Sequence, residues 1–255
     1  MPMIDFLFIA RRTGKHGVIE IYPKLIIKHS KDLMIRGGDF YAIWLSDRGL
    51  WSTDEQDALQ LIDRELDNYA ETHKADFDNY RVLHMWDAES GMIDIWHRYC
   101  QRQMRDSFVM LDEKLIFSNT EVKKEDYASK RLPYPLEQGS IKAWDELMSV
   151  LYAPDERMKI EWAIGAIVNG DSKKIQKFMV MYGAPGTGKS TVINIIQKLF
   201  AGYYSAFDAK VLGSSSNAFA LEAFKANPLI AIQHDGDLSR IEDNTRINSL
   251  VSMNP

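Results

Sequence analysis

The residues with the clearest chemical potential form a glycine-rich stretch from Gly183 to Ser190, Gly-Ala-Pro-Gly-Thr-Gly-Lys-Ser, which fits the spacing G-x-x-x-x-G-K-[ST]. Glycines lack a Cβ, so the backbone can curl and point several N–H groups at one phosphate. Lys189 can reach the β- and γ-phosphates, and the Ser190 hydroxyl is placed to bind Mg²⁺. The predicted nucleotide-binding residues are Gly183, Ala184, Pro185, Gly186, Thr187, Gly188, Lys189, Ser190 and Thr191.

The neighbours of this stretch favour a nucleotide site over a glycine-rich turn that only joins two elements. The apolar run from Lys177 to Tyr182 is typical of a strand buried on both faces of a parallel sheet. Apolar residues recur at helical spacing between Thr191 and Phe200, and the N-terminus of such a helix attracts phosphate. Because both flanking elements are predicted, we expect the stretch to bind ATP and Mg²⁺.

A second, acidic site is predicted after the apolar run Leu229–Ile232, where the chain reads His234-Asp235-Gly236-Asp237. Asp235 would hold the Mg²⁺ ion through its water shell, and Asp237 would polarise the attacking water. The competing interpretation is a solvated turn, since Asp and Gly are common turn residues. The role of each acid stays open, and His234 is an alternative contact to the γ-phosphate. The predicted catalytic residues are therefore Lys189, Asp235 and Asp237, and the predicted metal ligands are Ser190 and Asp235.

Two further groups have a weaker chemical interpretation. His97 and Cys100 at helical spacing, with His84 as a third ligand, suggest a metal site, but packing is favoured because the ligand set is incomplete. A solvated turn is the favoured interpretation of the cluster formed by Lys173, Lys174 and Lys177. A DNA contact is less favoured, because three charges supply little affinity for phosphate.

Short β-branched and aromatic runs at residues 6–9, 17–22 and 39–44 predict strands that precede these sites. A helix capped by Ser52 or Thr53 should bury Ala58, Ile62, Leu66 and Tyr69 on one face. A second helix is predicted from about Met92 to Met104, and residues 118–140 are predicted to be mostly loop. A third helix carries Trp144, Leu147, Met148 and Leu151. The fourth begins at Pro154, ends at Asn169-Gly170-Asp171 and is expected to bury Trp162, Ala163, Ala166 and Ile167.

Composition limits the class of protein. The 255 residues are 45% hydrophobic and 26% charged, which is typical of a folded globular chain and not of a disordered one. No apolar run approaches the length needed to span a bilayer, so we expect no membrane partner. Residues 1–150 carry a net charge of −6 and residues 151–255 a net charge of +1, so neither half is a basic nucleic-acid-binding module. Cys100 is the only cysteine, which excludes an intrachain disulfide and favours a reducing, cytoplasmic setting.

Several local matches in order resemble the helicase module of phage, plasmid and poxvirus-type primase–helicases, which belong to superfamily III of the AAA+ ATPases. They are Phe117-Ser118-Asn119, Lys130 to Tyr134, Glu161 to Gly165, the segment from Phe178 to Thr191 with its Walker A motif, and Leu250-Val251-Ser252. Asp39 to Trp44 with Gly49-Leu50-Trp51 is similar to the small domain that often precedes these helicases. The acids here depart from the family pattern, because Gly236 separates Asp235 from Asp237.

The resemblance implies an α/β fold in which a P-loop AAA+ core follows a smaller α+β region. The implied domains are residues 1–135 as the α+β domain, 136–172 as a helical lead-in and 173–255 as the N-terminal part of the ATPase core. It implies a homo-oligomeric, hexameric ring that uses ATP and Mg²⁺ to move along single-stranded DNA during replication of a phage or mobile element. The family's sensor, DNA hairpin and arginine finger are expected beyond Pro255, so none of these roles is assigned to a residue here.

Two other functions share the same loop chemistry. A P-loop kinase acting on a small molecule or nucleoside would need a lid with several arginines, and only Arg240 and Arg246 follow Ser190. A non-catalytic assembly module would use nucleotide only to order an oligomer interface. Such a module would change its oligomeric state on adding ATP without turning it over.

Overall fold

Alternating apolar and polar residues near the start of the chain form two antiparallel strands in the computed structural model, β1 (Leu7–Thr13) and β2 (Ile19–Leu25). The structure describes residues 4–26, 32–36, 40–87, 91–103, 109–212, 221–224, 228–234, 245 and 250. The chain is mixed α/β and divides into two compact units. Unit 1 comprises residues 1–111 and 122–129, and unit 2 comprises residues 112–121 and 130–255.

The described part of unit 1 contains two three-stranded sheets. The strands that follow β2 are β3 (Leu33–Arg36), β4 (Phe40–Leu45), β5 (Leu50–Ser52) and β6 (Tyr80–Val82). The first sheet, sheet A, has the order β1-β2-β6, with β6 parallel to β2. The second has the order β3-β4-β5 and is antiparallel throughout. The predicted strands at 6–9, 17–22 and 39–44 are confirmed as β1, β2 and β4.

Two helices, α1 (Glu55–Thr72) and α2 (Met92–Gln103), form the unit 1 core together with strand residues such as Leu7 and Ile21. The predicted apolar face of α1 is confirmed, since Ala58, Ile62 and Leu66 are fully buried. The helix cap was predicted wrongly, because the Asp54 carboxylate accepts the hydrogen bond from the Gln56 N–H. The packing role favoured for Cys100 on α2 is confirmed: Cys100 is buried in the core, which raises its pKa, and His97 bonds to Glu55.

Within its described residues, unit 2 begins with an irregular segment and continues with helices and one small parallel sheet. Its helices are α3 (Lys142–Leu151), α4 (Pro154–Asn169), α5 (Ser172–Ile175), α6 (Lys189–Leu199) and α7 (Ala209–Leu212). Strands β7 (Tyr204–Ala206) and β8 (Ile230–Ile232) pair in parallel, which confirms the predicted strand before His234. Gly170 ends α4 in the left-handed conformation, and Pro154 occupies its first turn, as predicted. No helix within the described ranges is both long enough and apolar enough to cross a membrane.

Two predictions about unit 2 were wrong. Residues 177–182 do not form a strand, and Phe178 and Tyr182 are 60% and 97% exposed. A strand requires a neighbour that takes up its backbone hydrogen bonds, and within the described ranges no strand is paired with this run. Trp162, predicted to be buried, is 57% exposed on α4, and Ile160 is the buried residue of that helix.

Tyr203 holds the irregular start of unit 2 against the end of α6. Its hydroxyl donates to the Lys130 carbonyl over 2.7 Å and accepts from the Ile116 N–H over 3.3 Å. The side chain is 2% exposed and belongs to a cluster with Phe117 and Phe200, and burial raises its pKa to about 12. The hydroxyl therefore satisfies two backbone groups that have little access to water.

We expect Tyr203→Phe to destabilise the protein by about 1–3 kcal/mol, because it leaves the N–H of Ile116 and the carbonyl of Lys130 without this partner. Urea denaturation measures the change. Tyr204→Phe is the matched control, since the Tyr204 ring is 38% exposed. Equal stabilities for the two variants would contradict the structural role assigned to the Tyr203 hydroxyl.

Candidate nucleotide-binding loop

The glycine-rich loop contains three glycines in backbone conformations that glycine adopts more readily than other residues. Gly183, Gly186 and Gly188 have φ values of 154°, 81° and 80°, a range that side chains with a Cβ rarely adopt. The three glycines therefore let the backbone reverse direction within a few residues. Gly188 also acts as the N-cap of α6, whose first residue is Lys189.

The Lys189 side chain folds back over the loop that it follows. Its ammonium group donates to the carbonyl of Gly183 over 2.9 Å, to the carbonyl of Ala184 over 2.7 Å and to the Thr187 hydroxyl over 3.2 Å. The Thr187 hydroxyl in turn donates to the Ala184 carbonyl over 3.0 Å. Four of the predicted site residues thus come together around one ammonium group.

These contacts leave Lys189 available to a ligand. All three acceptors are uncharged, so an anionic phosphate oxygen would offer the ammonium a stronger partner. The loop residues from Gly183 to Thr187 are exposed, which leaves the backbone accessible to solvent. Ser190 and Thr191 lie exposed on the first turn of α6, next to Lys189. This donor set, which combines backbone N–H groups, an ammonium group and a hydroxyl, suits a Mg²⁺-bound phosphate chain.

The base of the loop is fixed by a contact that the sequence did not reveal. A Cβ built on Gly188 would lie 2.7 Å from both Cδ atoms of Leu151 at the end of α3. Val192, one turn into α6, is fully buried with Met148 and Ile160. The loop therefore packs on the α3–α4 pair. The apolar periodicity of α3 was the only sequence signal that Leu151 would lie in a core.

The α3–α4 pair is itself held by a polar cluster around Arg157. Arg157 forms an ion pair with Asp145 of α3 and donates to Glu161, one turn along α4, over 2.7 Å. The Trp144 indole N–H donates to the same Glu161 oxygen over 2.7 Å. The hydrogen bond from Trp144, followed by the one from Arg157, lowers the pKa of Glu161. The ionised carboxylate thus connects the two helices that support the loop.

We expect Glu161→Gln to lower the melting temperature near neutral pH and the difference to shrink as the pH falls below 4.5, the ordinary pKa of this carboxyl group. A carboxyl group with a lowered folded-state pKa stabilises the fold when ionised, and this contribution is lost as the pH falls through that pKa. Thermal unfolding of both proteins over a pH series measures this difference in melting temperature. Glu137→Gln, at an exposed loop position, is the control. A difference that stays constant down to low pH would contradict the prediction.

The second predicted site is described only in part. Strand β8 ends at Ile232, Gln233 accepts from the Ala209 N–H over 3.1 Å, and His234 is exposed. Asp235 and Asp237 lie outside the described residues, so the Mg²⁺ and water-activating roles predicted for them stay predictions. Within the described ranges no three His, Cys, Asp or Glu side chains form a group that could hold a metal ion, and His84 pairs with Asp67.

Comparisons of the chain with models of known protein families, with curated proteins and with solved structures found no match. The candidate site therefore depends on the loop itself: its glycine conformations, the Lys189 ammonium and the helix that begins at Lys189.

Proposed function

We propose that the chain binds MgATP at residues 183–191 and belongs to an ATP-driven DNA helicase of the superfamily III type. The observation that carries the nucleotide part is the loop geometry: three glycines with positive φ lead into an 11-residue helix whose first residue, Lys189, donates back into the loop. The DNA part rests on the resemblance of the segments named above to that family.

The chemistry proposed is hydrolysis of the γ-phosphate. Bound Mg²⁺ would supply positive charge that offsets charge on the phosphate oxygens during transfer. Water adds to the γ-phosphorus, the bond from that phosphorus to the β–γ bridging oxygen breaks, and the products are ADP, inorganic phosphate and a proton. Lys189 would stabilise the γ-phosphate charge, and the N–H groups of the loop would hold the phosphates in line. Ser190 and Asp235 are proposed to hold the metal ion, and Asp237 to orient the water.

The biological setting follows from the same proposal. A motor of this type would act as a hexameric ring of identical chains on single-stranded DNA, in the cytoplasm of a cell that replicates a phage or mobile element. Hydrolysis by a ring of this kind depends on neighbouring subunits, so the chain alone is expected to bind nucleotide more readily than it turns it over.

ATP turnover with and without single-stranded DNA tests this function. We expect nucleotide binding in every case and turnover that rises with DNA where the chain assembles. Turnover that is unaffected by DNA but transfers phosphate to a nucleoside would replace the helicase with a kinase. ATP-dependent assembly without turnover in any assembled state would replace it with an assembly module. Absence of nucleotide binding would overturn the entire proposal.

A further inference from the structure

We propose that the outer face of sheet A in unit 1 is a binding surface for single-stranded DNA. The strand register places Phe8 opposite Lys24, Ala10 opposite Tyr22 and Arg12 opposite Glu20. Paired residues of neighbouring strands lie on the same face of a sheet, so these six side chains share one surface. Arg81 of β6, which pairs with Glu20, extends the surface by one strand.

Within the described ranges the helices of unit 1 leave this face open and pack on the other one. Leu7 and Ile21, which alternate with Phe8 and Tyr22, are fully buried in the core that α1 and α2 complete. Phe8 is 54% exposed on a sheet whose opposite face is closed. The aromatic side chain is therefore available to a ligand.

The side chains on this face are those that single-stranded DNA requires. Bases stack on aromatic rings without regard to sequence, and Arg or Lys beside them attracts phosphate. The Arg12 guanidinium lies 5.2 Å from the centre of the Tyr22 ring, and Lys24 is exposed beside Phe8. A ring and a cation thus alternate across two adjacent strands of the same face.

Three cations, Arg12, Lys24 and Arg81, lie on the outer face of sheet A beside Glu20, and the N-terminal segment that contains β1 and β2 is basic. Residues 1–36, which include β1 and β2, carry 7 Lys and Arg against 3 Asp and Glu. Residues 37–150 carry 13 against 23, so the positive charge of the N-terminal half is concentrated in this segment. Two acids offset part of this positive charge. Arg12 forms an ion pair with Glu20 over 2.6 Å, and Arg81 forms one with Asp87 over 2.8 Å.

The choice of DNA over RNA rests on the proposed function, whereas the surface itself does not involve the nucleotide-binding loop. Fluorescence anisotropy of a labelled oligo-dT strand measures the binding. We expect Phe8→Ala and Tyr22→Ala each to weaken it by about tenfold, the loss of one stacked base. Lys24→Gln should weaken it and reduce its dependence on salt by roughly one phosphate contact. Glu20→Gln should strengthen it, because it removes the carboxylate that competes for Arg12.

Matched controls separate this surface from other exposed groups and from the loop. Trp162→Ala removes an exposed aromatic ring of α4, and Lys142→Gln removes an exposed charge of α3; neither should change the affinity. Lys189→Ala should also leave it unchanged, so failure of the nucleotide site and failure of this surface are distinguishable. Circular dichroism checks that each variant is folded. Equal losses in the control and the sheet variants, or no binding by the folded protein, would overturn the proposal. Tighter binding of a matching oligo-rU strand would overturn the choice of DNA.

Discussion

Replacing Lys189 with alanine is expected to weaken MgATP binding by about 100-fold, the effect of losing one or two charge-assisted hydrogen bonds to phosphate. The same substitution removes the three hydrogen bonds that Lys189 makes to Gly183, Ala184 and Thr187. We therefore expect a second effect in the absence of nucleotide, namely faster hydrogen exchange of the backbone amides in the loop. Isothermal titration calorimetry measures the first effect and hydrogen exchange followed by mass spectrometry the second.

Lys198→Ala is the matched control for this substitution. Lys198 is exposed in the last turn of α6, the helix that begins at Lys189. The substitution Lys198→Ala therefore removes the same charge from the same helix. We expect its nucleotide affinity and loop exchange to be close to those of the unchanged protein. Nucleotide affinity that is the same in Lys189→Ala as in Lys198→Ala would contradict the site, whatever happens to the loop.

The sequence predicted local elements well where a single pattern determines them. The apolar spacing of Ala58, Ile62 and Leu66 identifies one face of α1, and Pro154 and Gly170 mark the two ends of α4. The glycines of the loop likewise permit the positive φ observed at Gly186 and Gly188, because φ is a local property of the backbone. These features require no information about distant parts of the chain.

Features that depend on distant partners were not predictable in the same way. The run from Phe178 to Tyr182 has the composition of a buried strand, but a strand forms only where a neighbour pairs with it. Trp162 fits an apolar stripe on α4, yet which face of a helix is covered depends on what packs there. The contact of Leu151 with Gly188 joins residues of two helices, and no spacing in the sequence reports it.

Gly188→Ala is expected to destabilise unit 2 by about 1–3 kcal/mol and to weaken MgATP binding. A Cβ at this position has two costs: the residue has a φ of 80°, which strains any side chain, and the added atom would lie 2.7 Å from Leu151. Because Leu151 must move, the loop is expected to shift relative to α3. Chemical denaturation and calorimetric titration measure the two effects.

Gly186→Ala separates the two costs. Gly186 has nearly the same φ, 81°, but nothing lies within 4 Å of a Cβ built there, so the substitution adds strain without a clash. We expect Gly188→Ala to be more destabilising than Gly186→Ala, and a second substitution, Leu151→Ala, to cost less in the Gly188→Ala background than in the unchanged protein. Additive effects of Gly188→Ala and Leu151→Ala would show that Leu151 does not support the loop.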